Sequence, residues 1–312
     1  MCKIRGLVLS LFCLVAVGHA AVIPPFFVDS VVAIGHNEQN SVGSPTWVTE
    51  ASGFLYGYLI QDDPDPVKRF YEVYLITNRH RHVIQNHATV FVRLNSKQPS
   101  GRGQVFDAPV IGEHGASSWF AHGDPNVDIA GVRIDWKLLQ DRGIDFAFMT
   151  SDTNAADTKK MAEIGVSAGD SVFVLGFPMN LAGQQRNYVI VRPGAIARVS
   201  DLIESAAPIL LIDSHVFPGN SGGPVILQPS AIAIEGTKRN HTAYLLGVVK
   251  SFIPYVDVAI SPQTQRARVT FEENSGLAEV VPIDRINEAI EAWRDSLPPS
   301  LPAPLKPAPE KR

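Results

Sequence analysis

Pro218-Gly219-Asn220-Ser221-Gly222-Gly223-Pro224 sets one serine in a turn with glycine on both sides, and the apolar run Pro224–Leu227 follows at once. Glycine reaches backbone conformations that other residues avoid, so a hydroxyl in such a turn can project from the chain. The neighbouring amides can then point at negative charge developing on a reacting carbonyl oxygen. Ser221 is therefore a candidate nucleophile. The same residues satisfy Gly-x-Ser-x-Gly, the turn from which α/β-hydrolases present their serine at the start of a helix, with Asp and then His downstream. Here two glycines, a proline and an apolar strand follow, and the one downstream histidine, His241, lies in the polar loop Thr237–His241. The context excludes that family.

Around the motif, short runs rich in Val, Ile, Phe and Tyr alternate with Gly, Pro, Asn and Asp. They are Gly53–Ile60, Tyr71–Thr77, Thr89–Leu94, Ile129–Ile134, Ser171–Gly176, Tyr188–Arg192, Ile209–Ile212, Pro224–Leu227 and Leu245–Val249. Strands of this length and spacing predict an all-β chain, an antiparallel barrel or sandwich. The polar stretch Thr150–Lys160 reads as a linker between halves of similar size, residues 21–155 and 156–294. Ile283, Ile286, Ala289, Ile290 and Trp293 recur at helical spacing after Pro282, which predicts a helix over Ile283–Trp293. The proline-rich residues 295–312 read as an extended, disordered tail.

Upstream of Ser221 stand a histidine and an aspartate at strand ends. Leu75-Ile76-Thr77-Asn78-Arg79-His80 closes a β run in Thr-x-x-His, and Asn126-Val127-Asp128-Ile129-Ala130 puts an aspartate at the head of an apolar strand. In this order the three motifs resemble the trypsin/chymotrypsin-like serine peptidases, and more closely their exported bacterial HtrA-type branch. The likeness covers most of residues 28–293. Gly176-Phe177-Pro178, Leu245–Val249 and Gly276–Pro282 extend it in the expected order.

The resemblance implies two perpendicular six-stranded barrels, a closing helix, and an active site in the cleft between the barrels. His80 would take the Ser221 proton as the hydroxyl attacks the scissile carbonyl, then return it to the leaving amine. Asp128 would hold the imidazole tautomer, and the amides of Gly219 and Ser221 would form the oxyanion hole. Such an enzyme acts on proteins or peptides and needs no cofactor and no metal.

Each assignment has a rival in the sequence. Arg79-His80-Arg81-His82 repeats Arg-His, so His82 competes with His80; the Thr-x-x-His spacing selects His80. The His-x-His pair lacks further ligands at metal-binding spacing, and a surface role fits it better. Asp124 and Asp135 compete with Asp128, whose place at the strand head decides. His36, His87, His114 and His122 read as exposed loop residues.

Asn220 stands where zymogen-activated relatives carry an aspartate that pairs with a freed N-terminus, and an amide cannot supply that charge. No cleavage beyond signal removal is therefore expected. The resemblance puts His215 at the floor of the primary pocket, with Val249, Lys250 and Ser251 along the substrate strand. No acid stands at that floor, which argues against a Lys or Arg preference. A small or apolar residue before the cut is the first expectation; an acidic one, attracted by Lys250 or His215, is the second.

The N-terminus adds a destination. Lys3 and Arg5 precede the apolar run Leu7–Val17, and Gly18-His19-Ala20 offers small residues at cleavage positions, so residues 1–20 read as a signal peptide. The run is too short for a membrane span. Export to the periplasm or the exterior is expected, with no stable membrane insertion. Removal takes both cysteines, Cys2 and Cys13, and lowers Lys and Arg from 27 to 25 against 31 acids, for a formal charge of -6. A chain so acidic shows no basic face for nucleic acid. The residues after the helix are too few for the peptide-binding PDZ module usual in HtrA-type proteins. Two other functions fit the same motifs: a silent binding protein on the peptidase fold, and an esterase using the same acyl transfer. The oligomeric state is left open.

Overall fold

The computed structural model describes residues 23–297, apart from 40, 42, 80–88, 99–100, 111–116, 231–234 and 239, together with the backbone of 306–307. After the short helix α1 (Pro25–Asp29), the N-terminal half is built from β1 (Val31–Gln39), β2 (Pro45–Gln61), β3 (Phe70–Thr77), β4 (Thr89–Ser96), β5 (Gln104–Pro109), β6 (Trp119–Ala121) and β7 (Ala130–Arg133). They form one sheet in the order β5-β4-β1-β2-β3-β7-β6, antiparallel between neighbours. Past helix α2 (Trp136–Asp141), β8 (Ile144–Asp145) and β9 (Met149–Thr150) add short pairings to β4 and β2.

The C-terminal half holds helix α3 (Thr158–Ile164), β10 (Ser171–Gly176), β11 (Ile190–Arg198), helix α4 (Ser200–Ile203), β12 (Leu210–Asp213), β13 (Pro224–Leu227), β14 (Tyr244–Ile260), β15 (Ala267–Pro282) and helix α5 (Ile283–Ser296). Its strands close a six-stranded barrel in the order β10-β11-β12-β15-β14-β13. The chain is thus mostly β with a C-terminal helix, in the trypsin-like arrangement. One barrel closes; the N-terminal sheet curls into a half-barrel that stays open among the described residues. In the proline-rich tail, the backbone of β16 (Lys306–Pro307) pairs with Asp107 and Phe106 of β5.

Side-chain alternation explains why several strands read as continuous apolar runs. Successive residues of a strand face opposite sides, and here both sides are covered. In β3, Val73 and Leu75 enter the core inside the N-terminal sheet, while Tyr74 and Ile76 enter a second core that lies between the halves. In β13, Val225 and Leu227 fill the closed barrel and Ile226 joins the shared core.

Helix α5 follows the second half in sequence and straps the first. Ile283, Ile286, Ala289 and Ile290 are buried in the shared core. Trp293 meets Tyr74 and Phe120, with ring centroids 5.9 and 5.3 Å away. Tyr56 donates to Asn287 Oδ1 at 2.8 Å, and Arg294 pairs with Glu72 at 3.1 Å. Among the described residues no helix is long and apolar enough to cross a membrane.

Three local features depart from the sequence pattern. The end of the predicted linker is the first turn of α3, started by Asp157, whose carboxylate accepts from Lys160 N–H at 2.7 Å, and ended by Gly165 in the left-handed region. Its buried Met161 supplies the packing that a free linker would lack. The strand Leu245–Val249 extends to Ile260, and β15 starts well before Gly276, so the two leave the barrel as a ribbon.

Ile286 is fully buried in the shared core. Ile286→Ala should therefore lower stability by about 2–4 kcal/mol, read as a lower urea midpoint at unchanged slope. An unchanged midpoint would mean that α5 does not hold the halves together.

Candidate active site

The turn that carries Ser221 is locked by its own backbone. Asn220 N–H donates to Phe217 O at 2.9 Å, and Gly223 N–H to Asn220 O at 2.9 Å. Asn220 is fully buried, and its Oδ1 accepts from Phe217 N–H at 3.0 Å. The side chain therefore braces the turn from inside, while its Nδ2 is buried and has no partner among the described residues. Gly222 N–H donates to Val249 O at 3.0 Å and Val249 N–H to Gly223 O at 2.9 Å, which ties the turn to β14.

Ser52 of β2 ties the same turn to the other half. Its Oγ donates to Gly219 O at 2.6 Å and accepts from Phe177 N–H at 3.0 Å. Its N–H donates to Ser221 O at 2.9 Å, and its carbonyl accepts from Thr77 Oγ1 at 2.8 Å. Four bonds from one buried residue join β2, β3, the end of β10 and the Ser221 turn. The approach is close enough to need glycine: Gly222 has φ +82°, and a Cβ there would overlap Ser52 O and Thr77 Oγ1.

A second brace sets the orientation of the Gly219 amide. Met179 N–H donates to Pro218 O at 2.7 Å. The carbonyl and amide of a trans peptide point in opposite directions, so this bond turns Gly219 N–H away from Met179. Gly219 has φ +97°, and a Cβ there would overlap Phe177 O. Among the described residues neither Gly219 N–H nor Ser221 N–H donates a hydrogen bond. Two unused amides beside a serine hydroxyl make a site for a developing oxyanion.

Met179 and Asn180 themselves have φ +54° and +60°, conformations that cost a non-glycine residue about 1 kcal/mol or more each. Asn180 Oδ1 accepts from Thr49 N–H at 2.6 Å, which anchors the strained pair to β2. Arg93 anchors the rest of the loop. It is 3% exposed, donates to Asn187 Oδ1 at 2.7 Å and Gly183 O at 2.8 Å, and stacks its guanidinium on Trp47. Burial pulls its pKa down to about 10. No carboxylate is among these partners, so carbonyl and amide oxygens and an aromatic face stabilise the charge.

Asp128 meets the segment that leads to His80. Its Oδ1 accepts from Arg79 N–H at 2.9 Å, and its carbonyl accepts from Asn78 Nδ2 at 2.9 Å. His80 and its rival His82 lie outside the described residues. The other aspartates have structural partners: Asp124 accepts from Asn126 N–H in a local turn, and Asp135 caps α2 through Lys137 and Leu138 N–H. Thr77, three residues before His80, touches Ser52, so the Ser221 turn, Asp128 and the end of β3 converge on one place.

The expected specificity residues separate. His215 is exposed, and Gly276 leaves room beside its ring. Lys250 Nζ pairs with Glu279 at 2.8 Å, and Lys250 O accepts from Ser221 Oγ at 3.2 Å. Ser251 is exposed, opposite Glu279 in the ladder. Val249 is fully buried in the closed barrel, so its contribution is the backbone bonds to the nucleophile turn. Ser52, Met179 and Asn180 carry no mark in the sequence; the importance of Ser52 and Asn180 comes from pairings of residues more than a hundred apart, that of Met179 from a bond to Pro218 across a loop and two strands.

The chain is similar in structure to the Rv3671c protease in its inactive form, at TM-score 0.39 and 17% identity over 85% of this chain and 89% of that one. It is also similar to the active form from M. tuberculosis, at TM-score 0.38 and 15% identity over 85% and 81%. No curated protein matches. The family model of the trypsin-like peptidase domain matches residues 51–230, more than half of the 312-residue sequence, and covers Ser52, Asp128 and Ser221 alike. The chain belongs to the trypsin-like peptidase family.

Proposed function

We propose that this protein is an exported serine endopeptidase in which Ser221 attacks the scissile carbonyl, His80 carries the proton and Asp128 orients His80. The observation that carries the reading is the pair of undonated amides, Gly219 and Ser221, on a turn fixed from both halves of the molecule. As the tetrahedral intermediate forms, its oxyanion gains two preorganised donors, worth several kcal/mol of barrier in comparable sites. Collapse to the acyl-enzyme expels the amine, which takes a proton from His80; a water activated by the same imidazole then releases the acid.

The site requires no N-terminal activation. The work that a buried ion pair does in zymogen-derived relatives is done here by neutral bonds: Asn220 Oδ1 to Phe217 N–H, Met179 N–H to Pro218 O, and Ser52 Oγ to Gly219 O. The Lys250–Glu279 pair also bears on specificity. With its charge matched by Glu279, Lys250 offers little to an acidic side chain, so a small or apolar residue before the cut is favoured. The signal-like residues 1–20 support export to the periplasm or exterior.

A fluorophosphonate probe should label the purified protein at Ser221 and fail on Ser221→Ala; labelling that survives the substitution would overturn the assignment. With a cleavable peptide, loss of Ser221 or His80 should lower kcat by roughly 10⁴ to 10⁶. Ser52→Ala removes a buried donor to Gly219 O and the acceptor for Phe177 N–H. It should cost about 1–3 kcal/mol of stability and lower kcat more than it raises KM. A Ser52→Ala enzyme with wild-type kcat would show that the oxyanion site does not depend on this clamp.

A further inference from the structure

Beyond Phe252 on β14 and before Gly276 on β15, the two strands pair among the described residues only with each other, from Pro254↔Asn274 to Ile260↔Ala267, with a register shift between Ala259 and Ile260. The base of this ribbon is fastened by Asn274 Nδ2 to Val216 O at 2.7 Å and Ser275 Oγ to Ile253 O at 2.6 Å. Past it, Tyr255, Val256, Val258, Ile260, Val269 and Phe271 are each 41–59% exposed. A two-stranded ribbon is marginal in water by itself, and a cluster of large exposed apolar side chains marks an interaction surface.

Charge identifies the partner. The base half of the ribbon carries Asp257, Glu272 and Glu273, the tip half Arg266 and Arg268. Among the described residues none of these five makes an ion pair. Arg268 and Glu272 are four residues apart on one strand, about 13 Å at the usual rise, too far to meet within one copy. By strand alternation they share a face with Val256, Val258 and Thr270. The opposite face, with Tyr255 and Phe271, carries Asp257 and Glu273, and the register shift between Ala259 and Ile260 leaves its one base, Arg266, at the very tip beyond Ala267. The first face, with Arg268 and Glu272 evenly placed about the Val258–Thr270 pair, is complementary to itself.

We propose that two copies of this chain associate face to face through this ribbon, antiparallel, about a two-fold axis that passes by the Val258–Thr270 pair. Arg268 of each copy then meets Glu272 of the other, and the valines close over the axis. Such an isologous contact satisfies both charge pairs at once. The ribbon is narrow, so the interface is at the small end of specific contacts and the affinity on the order of micromolar. The strands run directly from Lys250 and Gly276, which border Ser221 and His215, so the dimer places both clefts next to the paired ribbons.

Sedimentation equilibrium of the purified protein, from about 1 to 500 µM, tests this with Arg268→Glu, Glu272→Arg and the double reversal. The wild type should dimerise. Each single reversal should weaken the dimer roughly tenfold or more, and the double reversal should restore it. Val258→Asp should abolish it, with an unchanged thermal melt confirming that the barrels remain folded. A wild type that stays monomeric throughout, single reversals without effect, or a double reversal as weak as the singles would each overturn the proposal. So would a monomer that sediments with phosphatidylglycerol vesicles through the same valines, since the face would then serve a lipid surface.

Discussion

The molecule is organised by the four hydrogen bonds of Ser52. One buried hydroxyl and one peptide unit hold Gly219 O, Phe177 N–H, Ser221 O and Thr77 Oγ1 within bonding distance of a single residue. Three of those partners belong to the C-terminal half or its turn, the fourth to the strand that leads to His80. A buried donor or acceptor without a partner costs about 1–3 kcal/mol, so any relative shift of the halves breaks several bonds together. The position of Ser221 is thereby coupled to the packing of the two halves.

That packing is supplied by alternation. Strands that are apolar on both faces let one sheet close its own core and still contribute to the core between the halves, as Tyr74 and Ile76 do from β3 and Ile226 from β13. Helix α5 completes the shared core with a face of isoleucines and alanine, and its polar tethers to Tyr56 and Glu72 set its rotation. Among the described residues these contacts, with the buried Arg93 stacked on Trp47 and bonded to Asn187 and Gly183, hold the halves together without a cross-link.

Much of this was legible in residues. The Gly-Asn-Ser-Gly-Gly turn, the Thr-x-x-His strand end and the Asp at a strand head are local patterns, and each is tied to chemistry by the residue types themselves. The helix over Ile283–Trp293 was legible because its period is strong; it runs on to Ser296. What escaped was non-local. Nothing near Ser52 or Asn180 signals a partner more than a hundred residues away, and α3 depended on a cap at the end of a polar stretch and one buried methionine just past it. The ribbon escaped for a different reason: Pro254 and scattered charges interrupt its alternation, so Phe252–Asn274 reads as a loop until its cross-strand pairs are seen.

The central claim is that neutral bonds alone hold the oxyanion site ready, without an N-terminal ion pair. Rapid-quench hydrolysis of a nitrophenyl ester, on protein whose N-terminus is confirmed by mass to be Ala21, tests it most directly. The account predicts a stoichiometric burst of acyl-enzyme from that unclipped chain. No burst until a cut is made between residues 21 and 50 would contradict it.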